Sequence, residues 1–349
     1  MKKSMLLVLS AILLFSFALA GCGSKSGGSE SGGVQSGDAP SGESGGKKLK
    51  VGMVTDMGSV NDKSFNQSAW EGLQKLKKDF GYEVKYLEPK NDAEVIPSLN
   101  QFVKNKYDLT WATAETLDAA IKQIASENPD AKLGIIDAGV EVPNVASVLF
   151  KENEGAFLVG VIAGLMTKSN KIGFVGGMEI PVIKRFEAGF REGIKAVNPD
   201  ATFKPLYTGQ FVRVDMGKSA ASTLYNEGVD IIFHASGLTG NGVFNEAKER
   251  AARGEQVWVI GVDKDQSLEF GDEITLTSMI KKVDEAVYQI SKDLADGKFP
   301  DGKITYMGLK EKGVDVAPTS SKNVPQDILD KVEQYRQQII EGKIQVPTT

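Results

Sequence analysis

Apolar and polar positions fall into a repeating alternation from Lys48 onward. Short β-branched runs take turns with longer stretches whose apolar residues recur at helical spacing. Leu49 to Thr55 reads as a strand and Phe65 to Phe80 as a helix, closed by Gly81, which tolerates a left-handed cap. Glu83 to Leu87, Leu109 to Thr113, Leu133 to Ile136 and Val145 to Leu149 predict further strands. Helices are expected over Ala93 to Asn105, where Pro97 can start or kink the helix, and over Leu117 to Glu127.

Glu152 to Met166 is rich in small residues and reads as a helix crossing to a second lobe. There the rhythm restarts, with strands at Ile172 to Val175, Thr202 to Tyr207, Ile231 to Phe233 and Val257 to Gly261. Helices at Ile183 to Val197, Met216 to Glu227 and Val243 to Ala252 lie between them. A strand at Thr275 to Met279, a helix at Val283 to Asp296 and a last helix at Pro325 to Glu341 are expected back in the first lobe. The alternation predicts right-handed βαβ crossovers, hence an α/β fold of mostly parallel sheets with helices on both faces. Two such lobes make a hinged clam with its cleft at the carboxyl ends of both sheets. The expected division is 47–150 with 270–349 for the first lobe and 151–269 for the second.

The amino end changes this picture. Met1-Lys2-Lys3, an apolar run from Met5 to about Ala20 and small residues before a cut make a secretory signal over 1–21. The run is too short, and wrongly flanked, for a spanning helix. Leu19-Ala20-Gly21-Cys22 resembles a bacterial lipobox, so Cys22 is the expected lipidation site; the alternative is an ordinary signal with a chance cysteine. As the chain's single cysteine, Cys22 leaves no disulfide and no cysteine-based metal site. After Cys22, residues 23–46 are dominated by Gly and Ser, with scattered Lys, Glu, Asp and Pro. They predict a flexible tether with a reach of about 25–30 Å. Two or three acyl chains suffice for stable anchoring. The formal charge of −5 and the lack of a basic patch exclude nucleic acid as a partner.

The stretch Val51 to Asn66 carries the first candidate chemistry. A strand stops at Asp56, a polar loop holds Asp62, and a helix follows with Ser64 or Asp62 as its cap. Asp56, Asp62, Asp137 and Asp263 all follow apolar strands or sit in the loops there. Carboxylates accept hydrogen bonds, two of them from a vicinal diol. Each acid can equally cap its own turn. Phe65 can stack on a flat ring or anchor the helix in the core. Phe186 and Phe190 lie four apart on one helix face and read as core, while Phe211 and Phe233 both approach the cleft and the sequence does not choose between them. His234 to Gly242 is a Gly-rich turn spaced GxxGxG, which is not a dinucleotide or Walker motif, so no cofactor is expected. His234, the lone histidine, reads as a hydrogen-bonded wall residue, and Lys281 as an inward-pointing donor or a surface lysine. No zinc-type His pair or nucleophile with its base is legible, so the chain reads as a binder and not an enzyme.

Six blocks carry a resemblance: Asp56 to Leu73, Lys151 to Gly164, Ile172 to Gly193, Gly228 to Phe244, Val259 to Gln266 and Leu276 to Asp284. They are similar to the basic membrane protein family, which includes purine nucleoside receptor lipoproteins. The resemblance implies a two-lobed type I periplasmic-binding-protein fold. It also implies a monomeric lipoprotein on the extracytoplasmic face of the cell membrane that hands guanosine, inosine or adenosine to the permease and ATPase of an ABC importer. It implies base stacking at Phe65, Asn66 near the base, ribose contacts from Asp56, Asp137 and Asp263, a donor at Lys281, and Gly237 in the facing loop. A sugar-type solute binder, a nucleoside-cleaving enzyme and a surface sensor are the alternatives.

Overall fold

The structure is a computed structural model that describes residues 48–349. The signal segment, Cys22 and the tether lie outside the described residues.

The first sheet begins with β1 (Lys50–Val54), α1 (Phe65–Phe80), β2 (Glu83–Leu87), α2 (Val95–Lys104), β3 (Leu109–Ala112), α3 (Asp118–Glu127), β4 (Leu133–Ile136) and β5 (Val145–Phe150). These strands are buried almost throughout, apart from the edge strand β2, because helices cover both faces. Gly81 closes α1 in the left-handed conformation at φ 68°. Pro97 falls in the first turn of α2, where its missing N–H costs nothing, so the helix starts at Val95 after a short 3-10 turn.

Next come α4 (Glu152–Met166), β6 (Lys171–Gly176), α5 (Pro181–Val197), β7 (Thr202–Tyr207), α6 (Val214–Asn226), β8 (Ile231–Ala235), α7 (Gly240–Ala252), β9 (Trp258–Asp263), α8 (Ser267–Phe270) and β10 (Thr275–Lys281). The chain ends with α9 (Val283–Ala295), β11 (Ile304–Met307), β12 (Val314–Val316) and α10 (Gln326–Ile340). Strand order is β11-β5-β4-β3-β1-β2 in one sheet and β12-β10-β9-β8-β6-β7 in the other. All pairings are parallel except β10 with β12. Each sheet therefore reverses direction once, between β1 and β3 and between β6 and β8. Crevices open at the carboxyl ends of strands where such reversals occur.

The expected return of 270–349 to the first lobe needs correction. The strand at Thr275 joins the second sheet, beside β9, and β12 joins it too. Only α9 and β11 go back, α9 against α1 and β11 beside β5. The run Thr275–Lys281 is buried nearly end to end, so its pattern does not say which sheet completes around it. The chain crosses between sheets three times: after β5, after β10 and between β11 and β12. The crossings are tied together, since Lys151 N–H donates to Met307 O at 3.0 Å and Lys282 N–H to Gly313 O at 2.9 Å.

Helix α4 is buried on nearly every side. It packs on α5 at backbone distance, which small residues permit. A Cβ at Gly193 would lie 2.1 Å from the Phe157 carbonyl oxygen, and one at Gly160 would lie 2.4 Å from that of Phe190. No helix among the described residues is long and apolar enough to cross a membrane.

Candidate functional site

Both reversal points open into one cavity, lined by residues of both sheets. The first sheet supplies Asp56 after β1, Ala114, Glu115 and Thr116 after β3, and Asp137 after β4. The second supplies Ile180 after β6, Ser236 and Gly237 after β8, Asp263 at the end of β9 and Lys281 at the end of β10. Asp56, Phe65, Asn66, Asp137, Gly237, Asp263 and Lys281, the seven contacts that the resemblance implies, all line it, as does Asp62.

Asp137 and Asp263 occupy matching positions. Each ends a strand, one in each sheet, and each holds a left-handed backbone, at φ 70° and φ 66°. That conformation is unfavourable for side chains other than Gly and less so for Asp and Asn. Such strain concentrates where a side chain must be aimed. Gly237, at φ 54°, makes the turn after β8 without that strain.

Asp137 Oδ2 accepts from Lys281 Nζ at 2.6 Å, while its Oδ1 is buried with no partner in the protein. Lys281 is 1 % exposed and also lies 3.1 Å from Glu152, whose other oxygen accepts from Arg185 Nε at 2.7 Å. The ammonium sits 5.1 Å from the Phe65 and Phe150 ring centres and 5.6 Å from that of Phe186. Burial alone would depress the Lys281 pKa, but Asp137, Glu152 and Asp263 more than offset this and hold it raised. The lysine is therefore a fixed positive charge. Burial pushes Asp137 up against the pull of Lys281. It drives Asp263 up to about 7, against Lys281 and the Ser64 hydroxyl, which donates to it.

Asn66 is held as a wall. Its amide donates to Asp56 Oδ1 at 2.9 Å and to Asp62 Oδ2 at 3.1 Å, and its oxygen accepts from Thr113 at 3.1 Å. Both amide protons are committed, so a ligand can reach only the remaining lone pair of the oxygen. Asp56 also accepts from Gly58 N–H at 2.6 Å, and burial raises its pKa. Asp62 is the cap of α1. It accepts from the N–H groups of Ser64, Asn66 and Gln67 at 2.8, 2.9 and 3.1 Å. Burial nonetheless lifts it to about 6.

The aromatics sort unevenly. Phe211 lines the cavity, whereas Phe233 is fully buried among Phe174, Phe186 and Phe190. Phe186, expected in the core with Phe190, also reaches the cavity because it lies nearer the cleft end of α5. His234 is buried behind the wall with Nε2 2.8 Å from Gln266 Oε1, and burial lowers its pKa to about 4. Glu115, Ile180, Val182 and Ile183 were not picked out from sequence. Their signal was the same as that of Asp56, a loop or helix start beyond a strand end. Among the described residues no cluster of His, Cys, Asp and Glu is arranged to hold a metal.

The cavity thus offers carboxylate acceptors on one side, aromatic faces beside them and one caged cation. That combination suits a neutral guest with hydroxyls and a flat ring.

A family model described as ABC transporter substrate-binding protein PnrA-like matches residues 49–349. The chain is 42% identical to the CD4+ T-cell-stimulating antigen of Listeria innocua, over 99% of both chains. It is 39% identical to the ABC transporter nucleoside-binding protein BmpA of Lactococcus lactis, over 100% of both. A solute-binding protein of an ABC transporter system from Aeropyrum pernix superposes with a TM-score of 0.80 at 30% identity, covering 86% of this chain and 94% of the other. The two sheets and their helices have the architecture of periplasmic-type solute-binding proteins. The chain belongs to the Bmp family of PnrA-like ABC transporter substrate-binding proteins.

Proposed function

We propose that this chain captures purine nucleosides by closing its two lobes around them and delivers them, unaltered, to an ABC importer. One observation carries the reading. Two strand-end aspartates with left-handed backbones, one from each sheet, face the same cavity as Phe65. In this reading Asp137 and Asp263 take ribose hydroxyls and Phe65 stacks on the base. Asp56 shares in the ribose contacts, Asn66 lies near the base, and Lys281 fixes Asp137 and donates where it can reach. Phe211, from the opposite lobe, is a second ring surface. The nucleoside-binding relative from Lactococcus lactis supports the choice of guest. Because both lobes touch the guest, it binds the closed form better and shifts the population that way.

The reading includes the amino end. Cys22 carries the lipid, residues 23–46 form the tether, and the monomeric receptor works at the outer face of the cell membrane beside its permease. Radiolabelled palmitate incorporation that disappears in Cys22→Ala tests the anchor. Titration calorimetry with guanosine, inosine and adenosine, against ribose and glucose, tests the guest. Nucleosides should bind and free sugars should not. Equal affinity for ribose would favour a sugar receptor, and turnover to base and ribose would favour an enzyme.

A further inference from the structure

Outside the cavity, the two lobes also touch through protein groups alone. The loop before α1 turns at Lys63, a non-glycine residue in the left-handed region at φ 61°. This turn presents the Lys63 carbonyl to the second lobe, where Gln266 Nε2 donates to it at 2.9 Å. Ser64, the next residue, donates its hydroxyl to Asp263. Lys63 Nζ lies 3.8 Å from Glu269 and 4.6 Å from the centre of the Phe270 ring. Lys264 Nζ donates to Glu71 on α1 at 2.5 Å. Residues 263–270 of one lobe thus grip residues 63–71 of the other.

Gln266 is the fixed member of this grip. It is fully buried. Its Oε1 accepts from Val262 N–H at 2.9 Å and lies 2.8 Å from His234 Nε2, and its backbone N–H donates to Ser278 Oγ at 3.0 Å. A backbone N–H can only donate, so the atom facing Val262 is the amide oxygen. The amide nitrogen therefore faces Lys63. The same logic sets the histidine. Its Nε2 must carry the proton, and Nδ1 is left as an acceptor 3.4 Å from the hydroxyl of Ser236, which lines the cavity. His234 and the Val262 amide thus hold Gln266 with its donor aimed across the cleft.

We propose that Gln266, oriented by His234, is a clasp that holds the lobes closed independently of any guest, by donating to the Lys63 carbonyl of the opposite lobe. Such a clasp raises the population of the closed form in the empty receptor. Affinity for a guest rises with the fraction that is binding-competent. The inference takes from the proposed function only that closure serves capture. Closure itself is measured without a guest, so the two can fail separately.

The isosteric variant Gln266→Glu tests it. The acceptor toward Val262 and His234 is kept, while the group facing Lys63 becomes a second oxygen. The titratable residues around this grip are His234, Asp263, Lys264, Asp265 and Glu269 on the side of Gln266, and Asp62, Lys63 and Glu71 on the other. Spin labels on exposed sites of the two lobes report their separation by pulsed electron resonance in the guest-free chain. The expected result at about pH 8 is a shift of the variant to longer separations relative to the wild type. On acidification to about pH 5 the variant should return, because a protonated acid can donate where the amide did. Nucleoside affinity should fall roughly ten- to a hundredfold in the variant at the higher pH, with the variant-to-wild-type ratio narrowing on acidification, the scale expected when a closed population shifts by that factor. Separations unchanged at both pH values would overturn the proposal. So would a lasting opening that acid does not reverse, which marks a packing defect. Should Gln266→Glu fail to fold, Gln266→Met removes the cross-lobe donor itself at similar side-chain length. It should also lengthen the separations, and no shift there would equally overturn the clasp.

Discussion

Lys281 and Asp137 meet at 2.6 Å although they belong to different sheets. Lys281 ends β10 and Asp137 follows β4, so the pair is a bolt across the back of the cleft. Glu152, at the start of the crossing helix α4, lies on the same ammonium. Removing the lysine strands the buried carboxylate of Asp137 and leaves Glu152 to Arg185 alone. Breaking a buried pair by deleting one partner costs about 3–5 kcal/mol. Lys281→Met should lower the unfolding free energy by that order in urea titration and abolish nucleoside binding. A loss under about 1 kcal/mol would mean that water already reaches the pair.

In the proposed function Asp137 offers its carboxylate to the guest, and it also holds a left-handed backbone. Asparagine keeps the second and alters the first. Asp137→Asn should weaken nucleoside binding by roughly ten- to a hundredfold, about 1.4–2.8 kcal/mol, and should also lower stability, because Lys281 then keeps only Glu152 as an ion-pair partner. Asp137→Ala should lose the same affinity and about 1–2 kcal/mol more stability than Asp137→Asn, because alanine resists the left-handed region. Equal stability of the two variants would show that the φ of 70° carries no strain.

The pH dependence follows from Asp263. Its carboxyl titrates near 3.8 in ordinary surroundings and near 7 in the fold, chiefly because it is buried. Between these values the folded chain binds the extra proton. The contribution of Asp263 to stability is therefore full below the lower value and is lost as pH rises through the upper one. Guest binding has the opposite sign. A hydroxyl donating to Asp263 favours the carboxylate, so binding releases a proton and affinity rises with pH. Calorimetry between about pH 5.5 and 8 should show affinity increasing, by up to tenfold per pH unit below 7, with the slope flattening above it. A flat profile would place the guest's hydroxyls elsewhere.

Much of this cavity's lining is legible in the sequence. Asp56, Asp137 and Asp263 stand at the ends of apolar runs, and in parallel sheets those ends converge. Phe65 follows the same loop. Other parts are products of contact between distant segments. Glu152 and Arg185 lie 33 residues apart and become partners only because α4 and α5 pack so tightly. Phe186 and Phe190 share one helix face, and Phe186 alone reaches the cavity because it lies one turn nearer the cleft end of α5. β10 is buried all along, so its residues look alike whichever sheet receives it. β11 and β12 have four and three residues and are half-exposed, too short for alternation to register.

The tight seam of α4 and α5 carries its own prediction. At Gly193 a methyl group would meet the Phe157 carbonyl oxygen at 2.1 Å. Gly193→Ala must push the helices apart, at a cost of about 1–3 kcal/mol or more. Differential scanning calorimetry should show a clearly lowered midpoint. An unchanged midpoint would indicate that the two helices slide freely against each other.

The central claim is that the cavity holds an intact nucleoside. The most direct test is to purify the chain from cells under native conditions, denature it, and identify released small molecules by mass spectrometry, then refold the emptied protein and titrate it with the compound found. The account predicts a purine nucleoside, bound one per chain and recovered whole, with binding lost in Phe65→Ala. Recovery of a free sugar, a separated base and ribose, or a guest indifferent to Phe65 would contradict it.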